Sequence, residues 1–542
     1  MKHIFKSLFY FSILASLTST LLGDGSGNSC YSLNNSGTPS TSCCFPDNYA
    51  TNNNGNVYGQ TNFTTRPVQW DQFRRMAGVS TEKLHLFNQE EFYGTVSLAL
   101  QYQWTVESNH LAQWFLFNNN NKKSMTYAPN YNSTGAVFGA DINSLNFGVT
   151  SSGEVTFKPK IQNFIADIDL YMGWDQFVCG LWSRISVPIN WTSWNMQLCD
   201  TNKSNSGSLT FPINLMESGV AADVPYANLK QAWVGNKTFG DAPFMTNGRI
   251  DGSKDTIQVA GLKLELGYDF VRKDDRHFAT SFLIVAPTGN TPKAEYLFEP
   301  ISGANKQWEI GADINGHYNF WERVECHKSL GLHFDVALMG MTKHNQKRLF
   351  GLKAGPNGTC SAGAAWLLLK EFDNVEEYVT LQRATNVLAL NADIGSSFET
   401  NLGVLIKYVH NHFSFDNGYE FYYRNAEKIS NRTPIAEEKY GIKGNTNAGD
   451  DTTASKSTIS INGATESTPE FIKDTDICVC TALQPTYISN KIFSFFEYSW
   501  DNCDWQPTFG AGYSYEWGNE RDGVENLAAK QWSLIAKGSV SF

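Results

Sequence analysis

Two chemistries are open to the residue types of this chain. Charged side chains recur at alternate positions of strand-like runs: Asp167 and Asp169; Lys263, Glu265 and Asp269; Glu309 and Asp313; Asp416, Glu420 and Arg424. With Arg184, Asp335, Lys407, Glu497, Glu516 and Lys537 they form a set in which acids outnumber bases. Residues two apart in a strand share a face, so this set would line a surface rather than converge on one catalytic centre. Such a lining biases which ions enter a pore, or it is a solvated, internally paired network. The other chemistry is hydrolysis. His317, His333 and His412 stand beside serines and carboxylates, but no G-x-S-x-G element frames a nucleophile. Lone histidines in such strands are more often lining than catalytic.

The elements that must carry these charges are amphipathic strands. The last eleven residues, Trp532 to Phe542, put Trp532, Leu534, Ala536, Gly538, Val540 and Phe542 on one face, and Ser533, Ile535, Lys537, Ser539 and Ser541 on the other. The second face is polar except for Ile535. Phe92–Trp104, 161–174, 181–198, 256–271, 277–286, 306–321, 329–341, 396–409, 412–424, 488–500 and 506–517 read the same way. Pro188 interrupts the third of these, where a bulge or bend is expected. About twelve strands result, or fourteen if apolar pieces within 343–395 add two. Short connections follow the even strands and long ones the odd.

Strands running toward the short-turn end finish on an apolar-face aromatic: Trp174, Phe270, Phe320, Tyr408, Trp500 and Phe542. Aromatics at one level form a girdle at a membrane interface. Closure also removes the free edges that so many long strands would expose. The fold expected is all-β: a transmembrane antiparallel up-and-down barrel with short periplasmic turns and long extracellular loops.

Composition agrees. Charged residues are 18%, aromatics 14%, and the net charge is −11. The negative charge, with no basic stripe, argues against nucleic acid as a partner. Residues 1–23 read as a secretory signal peptide: Lys2 and Lys6, an apolar run from Leu8 to Leu17, then small residues to Gly23. Residues 24–91 read as an N-terminal periplasmic segment or plug, with a short helix around Trp70 to Met76, and residues 92–542 as the barrel. No transmembrane helix is available.

Ten cysteines in a secreted context favour disulfides. Cys179, Cys326 and Cys503 fall in short turns, on the side assigned to Cys30, Cys43 and Cys44; Cys199, Cys360, Cys478 and Cys480 fall in or beside long loops. Each side holds an even number and could pair fully, tying the N-terminal segment to the barrel base or neighbouring barrels together. Cys478 and Cys480 lack histidine or cysteine partners at zinc-ligand spacing, so pairing is favoured over metal. No cofactor and no metal are expected.

With the strands placed, the chain resembles the bacterial outer-membrane β-barrel superfamily across nearly all of its mature length. The blocks Asp169 to Ile189, Val285 to Pro292 with Tyr296 to Pro300, and Lys491 to Asp504 look like a family of outer-membrane proteins from intracellular, endosymbiont-like bacteria. The terminal aromatic resembles the signature by which the barrel-insertion machinery recognises its clients, and outer-membrane lipid is the implied partner. Trimers are common among porin-like barrels, so the resemblance implies a homo-oligomer. The expected role is a porin-like channel for small hydrophilic solutes with a mild cation preference. A disulfide-linked structural or adhesive surface barrel and an outer-membrane hydrolase are the alternatives.

Overall fold

The computed structural model describes residues 59–79, 82–86, 92–106, 109–115, 124–129, 141–204, 224–323, 327–353, 360–374, 377–444, 458–460, 465–466, 468–500, 505–518, 520–521, 524–525 and 528–542. The chain divides into two units, Met1–Pro46 and Asp47–Phe542. The first, with the signal-peptide assignment and Cys30, Cys43 and Cys44, lies outside the described residues, as do Cys326 and Cys503.

Alternation of apolar and polar residues builds thirteen strands into one sheet: β1 (Tyr93–Thr105), β2 (Lys160–Gly173), β3 (Leu181–Asn195), β4 (Ser253–Val259), β5 (Leu262–Lys273), β6 (Arg276–Ala286), β7 (Glu309–Arg323), β8 (Lys328–Met341), β9 (Phe398–His410), β10 (Phe413–Arg424), β11 (Tyr487–Ser499), β12 (Gln506–Gly518) and β13 (Gln531–Ser541). Each strand pairs antiparallel with the next around the ring, apart from β4, and β13 closes on β1 from Gln531↔Thr105 to Ser541↔Thr95. The result is a closed twelve-strand barrel with β4 as an additional strand on β3. Leu98, Leu100, Phe164, Ile168, Leu266, Phe282, Ile492 and Leu534 all point outward and are exposed, forming an apolar belt. Among the described residues no helix is long and apolar enough to cross a membrane.

The run 256–271 does not form one strand. Ser253–Val259 pairs with Ile189–Asn195, whereas β5 pairs with Leu181–Ser186. Pro188 sits at the changeover, where its carbonyl accepts the Ala260 amide at 2.8 Å. Proline has no N–H to donate, and the irregularity falls on the partner, at 260–261. β3 itself stays in register with β2 through Asp167↔Pro188, without the bulge expected there.

Connections within the barrel alternate. The strand ends leave short connections after β2, β5, β7, β9 and β11, all at one end, and long ones after the others. The pieces within 343–395 do form strands, but in small sheets of their own. His344–Leu349, Ala389–Gly395 and Lys428–Arg432 make one, and Leu368–Asn374 joins another with Glu377–Arg383 and Tyr440–Lys443. They add nothing to the barrel, so its strand number is twelve rather than fourteen.

Candidate functional site: the barrel interior and the segment that fills it

The inward face of the barrel is occupied by residues 59–79 and 82–86. At the long-loop end the Gln60 amide donates to the Trp114 carbonyl at 2.9 Å and the Thr61 amide to the Thr481 carbonyl at 2.8 Å. At the short-turn end the Lys83 amide donates to Ser541 Oγ at 3.0 Å, and His85 Nδ1 meets Asp269 Oδ1 at 2.8 Å. The segment thus runs the length of the lumen. Its N-terminal end, at Gln60 and Thr61, is at the long-loop end.

Midway lies α1 (Gln72–Met76). Its N-cap is Asp71, whose carboxylate accepts the Phe73 and Arg74 amides; this is how an aspartate satisfies the free N–H groups of a first turn. One turn of helix is marginal on its own, and packing supplies what local propensity does not. Phe73 stacks on Phe493 with ring centroids 4.9 Å apart, in a buried cluster with Met76, Ala99, Leu405, Phe495 and Ile535. Trp70 packs with Leu283, Val285, Ala337, Met339, Tyr422 and Tyr487. Leu84 and Leu86 pack against Tyr93, Tyr171, Trp182 and Ala279. Glycine makes room where α1 meets β9: a Cβ on Gly403 would lie 2.5 Å from Met76 Sδ and 2.9 Å from Gln72 Cβ.

Charge pairing fixes the segment further. Arg66 reaches Glu420 at 2.8 Å and Glu516 at 3.2 Å. Arg74 reaches Asp167 at 2.9 Å. Arg75 gathers three carboxylates from three strands: Asp335 at 2.6 Å, Asp313 at 3.3 Å, and Glu265. In the other direction, wall cations hold segment anions: Lys491 Nζ lies 2.9 Å from Asp71, and Lys537 Nζ 2.9 Å from Glu82. Removing such charges from water is costly unless each is paired, and the pairing here crosses between segment and wall.

The remaining sequence-derived residues are placed as follows. Arg184 pairs with Asp169 at 2.8 Å within the wall. Lys263 approaches Glu265 at 3.4 Å. Glu309 accepts from Gln69 Nε2 at 2.8 Å and Trp70 Nε1 at 2.7 Å. Asp416 accepts the Gly78 amide at 2.9 Å. Arg424 reaches Thr64 Oγ1 at 3.2 Å, Glu497 accepts from Ser414 at 3.2 Å, and Lys407 is buried on the same face of β9. Asp167 and Asp169 are half-buried; the other fourteen are buried. Two small cavities adjoin the segment: one of about 20 Å³ lined by Arg74, Arg75, Asp167, Asp169, Arg184 and Lys263 among others, and one of about 40 Å³ bordered by Arg75, His85, His277, His333, Trp182 and Tyr171.

Sequence reading missed the segment's own charges, Arg66, Asp71, Arg74, Arg75 and Glu82, and two wall residues, Glu399 and Lys491. Both wall residues lie on the inward parity, and Glu399 accepts from the Tyr422 hydroxyl at 2.6 Å. Ile535 was the available signal: an apolar residue on a face otherwise polar needs an apolar partner inside.

The aromatics ending the strands lie outside the barrel. Phe270, Phe320, Tyr408 and Trp500 are exposed, and Phe92 touches both Trp174 (5.6 Å) and Phe542 (6.0 Å). Of the cysteines, Cys360 and Cys478 are bonded, with an S–S distance of 2.07 Å. They tie the long connection after β8 to that after β10. Cys179 and Cys199 are free thiols among the described residues. Of the three histidines, His317 and His333 line the interior, whereas His412 is in the β9–β10 turn, its ring 5.7 Å from that of Tyr498. Among the described residues no group of three or more His, Cys, Asp or Glu is arranged to hold a metal ion.

No protein-family model matches the chain, and no curated protein matches it. Several solved structures are similar in outline. An outer membrane channel from Pseudomonas putida F1 aligns with a TM-score of 0.35 and 10% identity over 85% of this chain and 98% of that one. A Pseudomonas aeruginosa FadL homologue aligns at 0.26 and 9%, over 89% and 99%. The porin NanC aligns at 0.26 and 7%, over 82% and 98%. At such scores the likeness adds no argument to the strand ladder that closes within this chain itself.

Proposed function

We propose that the protein is an outer-membrane diffusion channel for small hydrophilic solutes whose resting state is closed by residues 59–79 and 82–86 acting as a plug. The observation that carries this reading is Arg75, which bonds carboxylates of β5, β7 and β8 at once. A closed cylinder with an apolar belt and a charged interior suits a bilayer. Many of its interior charges are answered by a segment that belongs to no strand. The exposed aromatics that end the strands form the interfacial girdle, with the short turns on the periplasmic side.

The ion preference follows from the same pairing. Acids outnumber bases on the wall, and Arg66, Arg74 and Arg75 offset them while the segment is in place. The plugged lumen therefore carries little uncompensated charge, and the emptied channel prefers cations. Planar-bilayer recording of the full chain against a variant lacking residues 60–79 tests this. The deletion should show larger unitary current with cation-shifted reversal potentials. Equal currents, or an anion-selective deletion variant, would refute it.

A further inference from the structure

The small sheet of His344–Leu349, Ala389–Gly395 and Lys428–Arg432 continues from the long-loop ends of β8, β9 and β10, and its two faces differ. Strand partners share a face, and successive side chains alternate between faces. Gln346, Arg348, Ala392, Ile394 and Ile429 fall on one face, which is buried. Asn345↔Asp393↔Ser430 and Lys347↔Asn391 fall on the other, with Gly395↔Lys428 at its base. Lys343 joins that base row, since a Cβ on Gly395 would lie 3.1 Å from Lys343 Cα. The outer face therefore carries Lys343, Lys347 and Lys428, of which Lys343 and Lys428 are exposed.

This is a local reversal in a chain whose net charge is −11. Lys306, exposed just before β7, adds to it; burial and the Lys306 charge hold the His344 imidazole below its ordinary value, so Lys306 acts on the same sheet. One acid interrupts the face, Asp393, whose carboxylate accepts from Asn345 Nδ2 at 2.9 Å and Asn431 Nδ2 at 3.1 Å. Lys491 and Lys537 of the interior pair with carboxylates at 2.9 Å, whereas among the described residues these rim lysines make no ion pair. Their height is fixed as well. The Thr342 amide donates to the Trp308 carbonyl at 3.0 Å and the Trp308 amide to Thr342 Oγ1 at 2.9 Å. Trp308, Ile310, Leu338 and Phe398 face outward and are exposed. Lys343 follows Thr342 directly and Gly395 precedes Phe398 by three residues, so at about 3.3 Å per residue the lysine row lies within about 10 Å of the edge of the apolar belt. Interfacial aromatics sit at headgroup level, and cations just beyond them meet phosphates.

We infer that this lysine face is a docking surface for the phosphorylated lipid headgroups of the outer leaflet, whose acyl chains lie on Trp308, Ile310, Leu338 and Phe398. The inference rests on the membrane orientation proposed above. Charge complementarity selects phosphate, for which an ammonium group is a point-charge binder. Continuity with the lipid-facing wall selects a lipid: lysines alone would serve a free anion, but the exposed apolar residues directly beneath them suit a phosphate tethered to hydrocarbon. Lys343 and Lys428 flank Gly395 at two strand spacings, about 10 Å apart, so both side chains can reach one headgroup.

Reconstitution of the full chain into phosphatidylcholine vesicles with and without lipid A, a diphosphorylated glucosamine lipid, tests the inference, with bound lipid counted by native mass spectrometry after extraction in neutral detergent. The parent should retain lipid A, and K343Q/K347Q/K428Q should retain roughly tenfold less. K230Q/K237Q, altered in the connection between β3 and β4, should match the parent. Amine labelling of the unaltered chain needs no variant: Lys343 and Lys428 should label several-fold more slowly in the lipid A vesicles, and Lys230 at an unchanged rate. Equal retention by a folded triple variant, equal labelling with and without lipid A, or full displacement of the lipid by inorganic phosphate at matched phosphorus overturns the surface. A chain that inserts into neutral vesicles but retains no lipid A removes this inference alone; one that does not insert removes the membrane-channel reading with it.

Discussion

Arg75 Nε donates to Asp335 Oδ2 at 2.6 Å, and the same guanidinium bonds Glu265 and Asp313 on other strands. Arg75→Ala leaves three wall carboxylates short of their cation. Breaking a buried pair by removing one partner costs about 3–5 kcal/mol. The variant should unfold at lower temperature in heat-modifiability gels and show frequent large openings in bilayers. Arg75→Lys should fall between, because one ammonium cannot reproduce the planar fork.

Gly403 offers a steric test of the same closure. Its missing side chain accommodates Met76 and Gln72. Gly403→Leu should dislodge α1 while leaving the outward face of β9 intact, so the barrel should still assemble and still resist heat in gels. Uptake of small hydrophilic solutes by liposomes should rise several-fold; unchanged uptake with a folded barrel would count against the plug.

The bond between Cys360 and Cys478 spans 118 residues. Cys360→Ser should increase protease cleavage within 343–395 and 425–486 and leave the barrel fragment resistant. Limited proteolysis with and without reductant reads this directly: the parent should become as sensitive as the variant once reduced.

Glu299, in the connection between β6 and β7, accepts the Lys293 and Ala294 amides at 2.9 and 3.0 Å. Burial pushes its carboxyl up to about 7, against the opposing pull of those amides. The folded-state value lies above the unfolded one, so the folded loop favours the protonated acid. Stability from this group is therefore greatest below the unfolded value, about 4.5, and falls as pH rises toward 7, by on the order of 3 kcal/mol. Amide exchange in 287–308 should quicken between pH 5 and 8 after correction for the intrinsic rate. Glu299→Gln should flatten that dependence.

Much of the cylinder was legible in the sequence because period-2 alternation is a local property. The terminal run from Trp532 shows its two faces without help from the rest of the chain, and the closed ladder reproduces the strand number and the alternation of connections. What sits inside was less legible. Arg66, Asp71, Arg74 and Arg75 look like ordinary charges of a polar stretch, and only their partners 90 to 450 residues away make them interior groups. The split between β4 and β5 was hidden for a similar reason. Nothing in Ala260 or Gly261 announces a break; the cause is the partner change at Pro188 on another strand. The apolar inward residues Phe493, Phe495, Leu405 and Ile535 were visible exceptions to polar faces, and each marks a seat for α1.

The ladder between β13 and β1 has a bearing on biogenesis. It joins the last strand made to the first, and a chain that enters such a ring by one mouth and leaves by the other cannot be slipped in sideways once the ring is sealed. Residues 59–79 and 82–86 come before β1 in the chain, so they reach the hollow either ahead of the sealing ladder, with the wall wrapping around them as around a mandrel, or afterwards by threading end-on through a mouth. What the sealed seam rules out is lateral entry once the ring has closed.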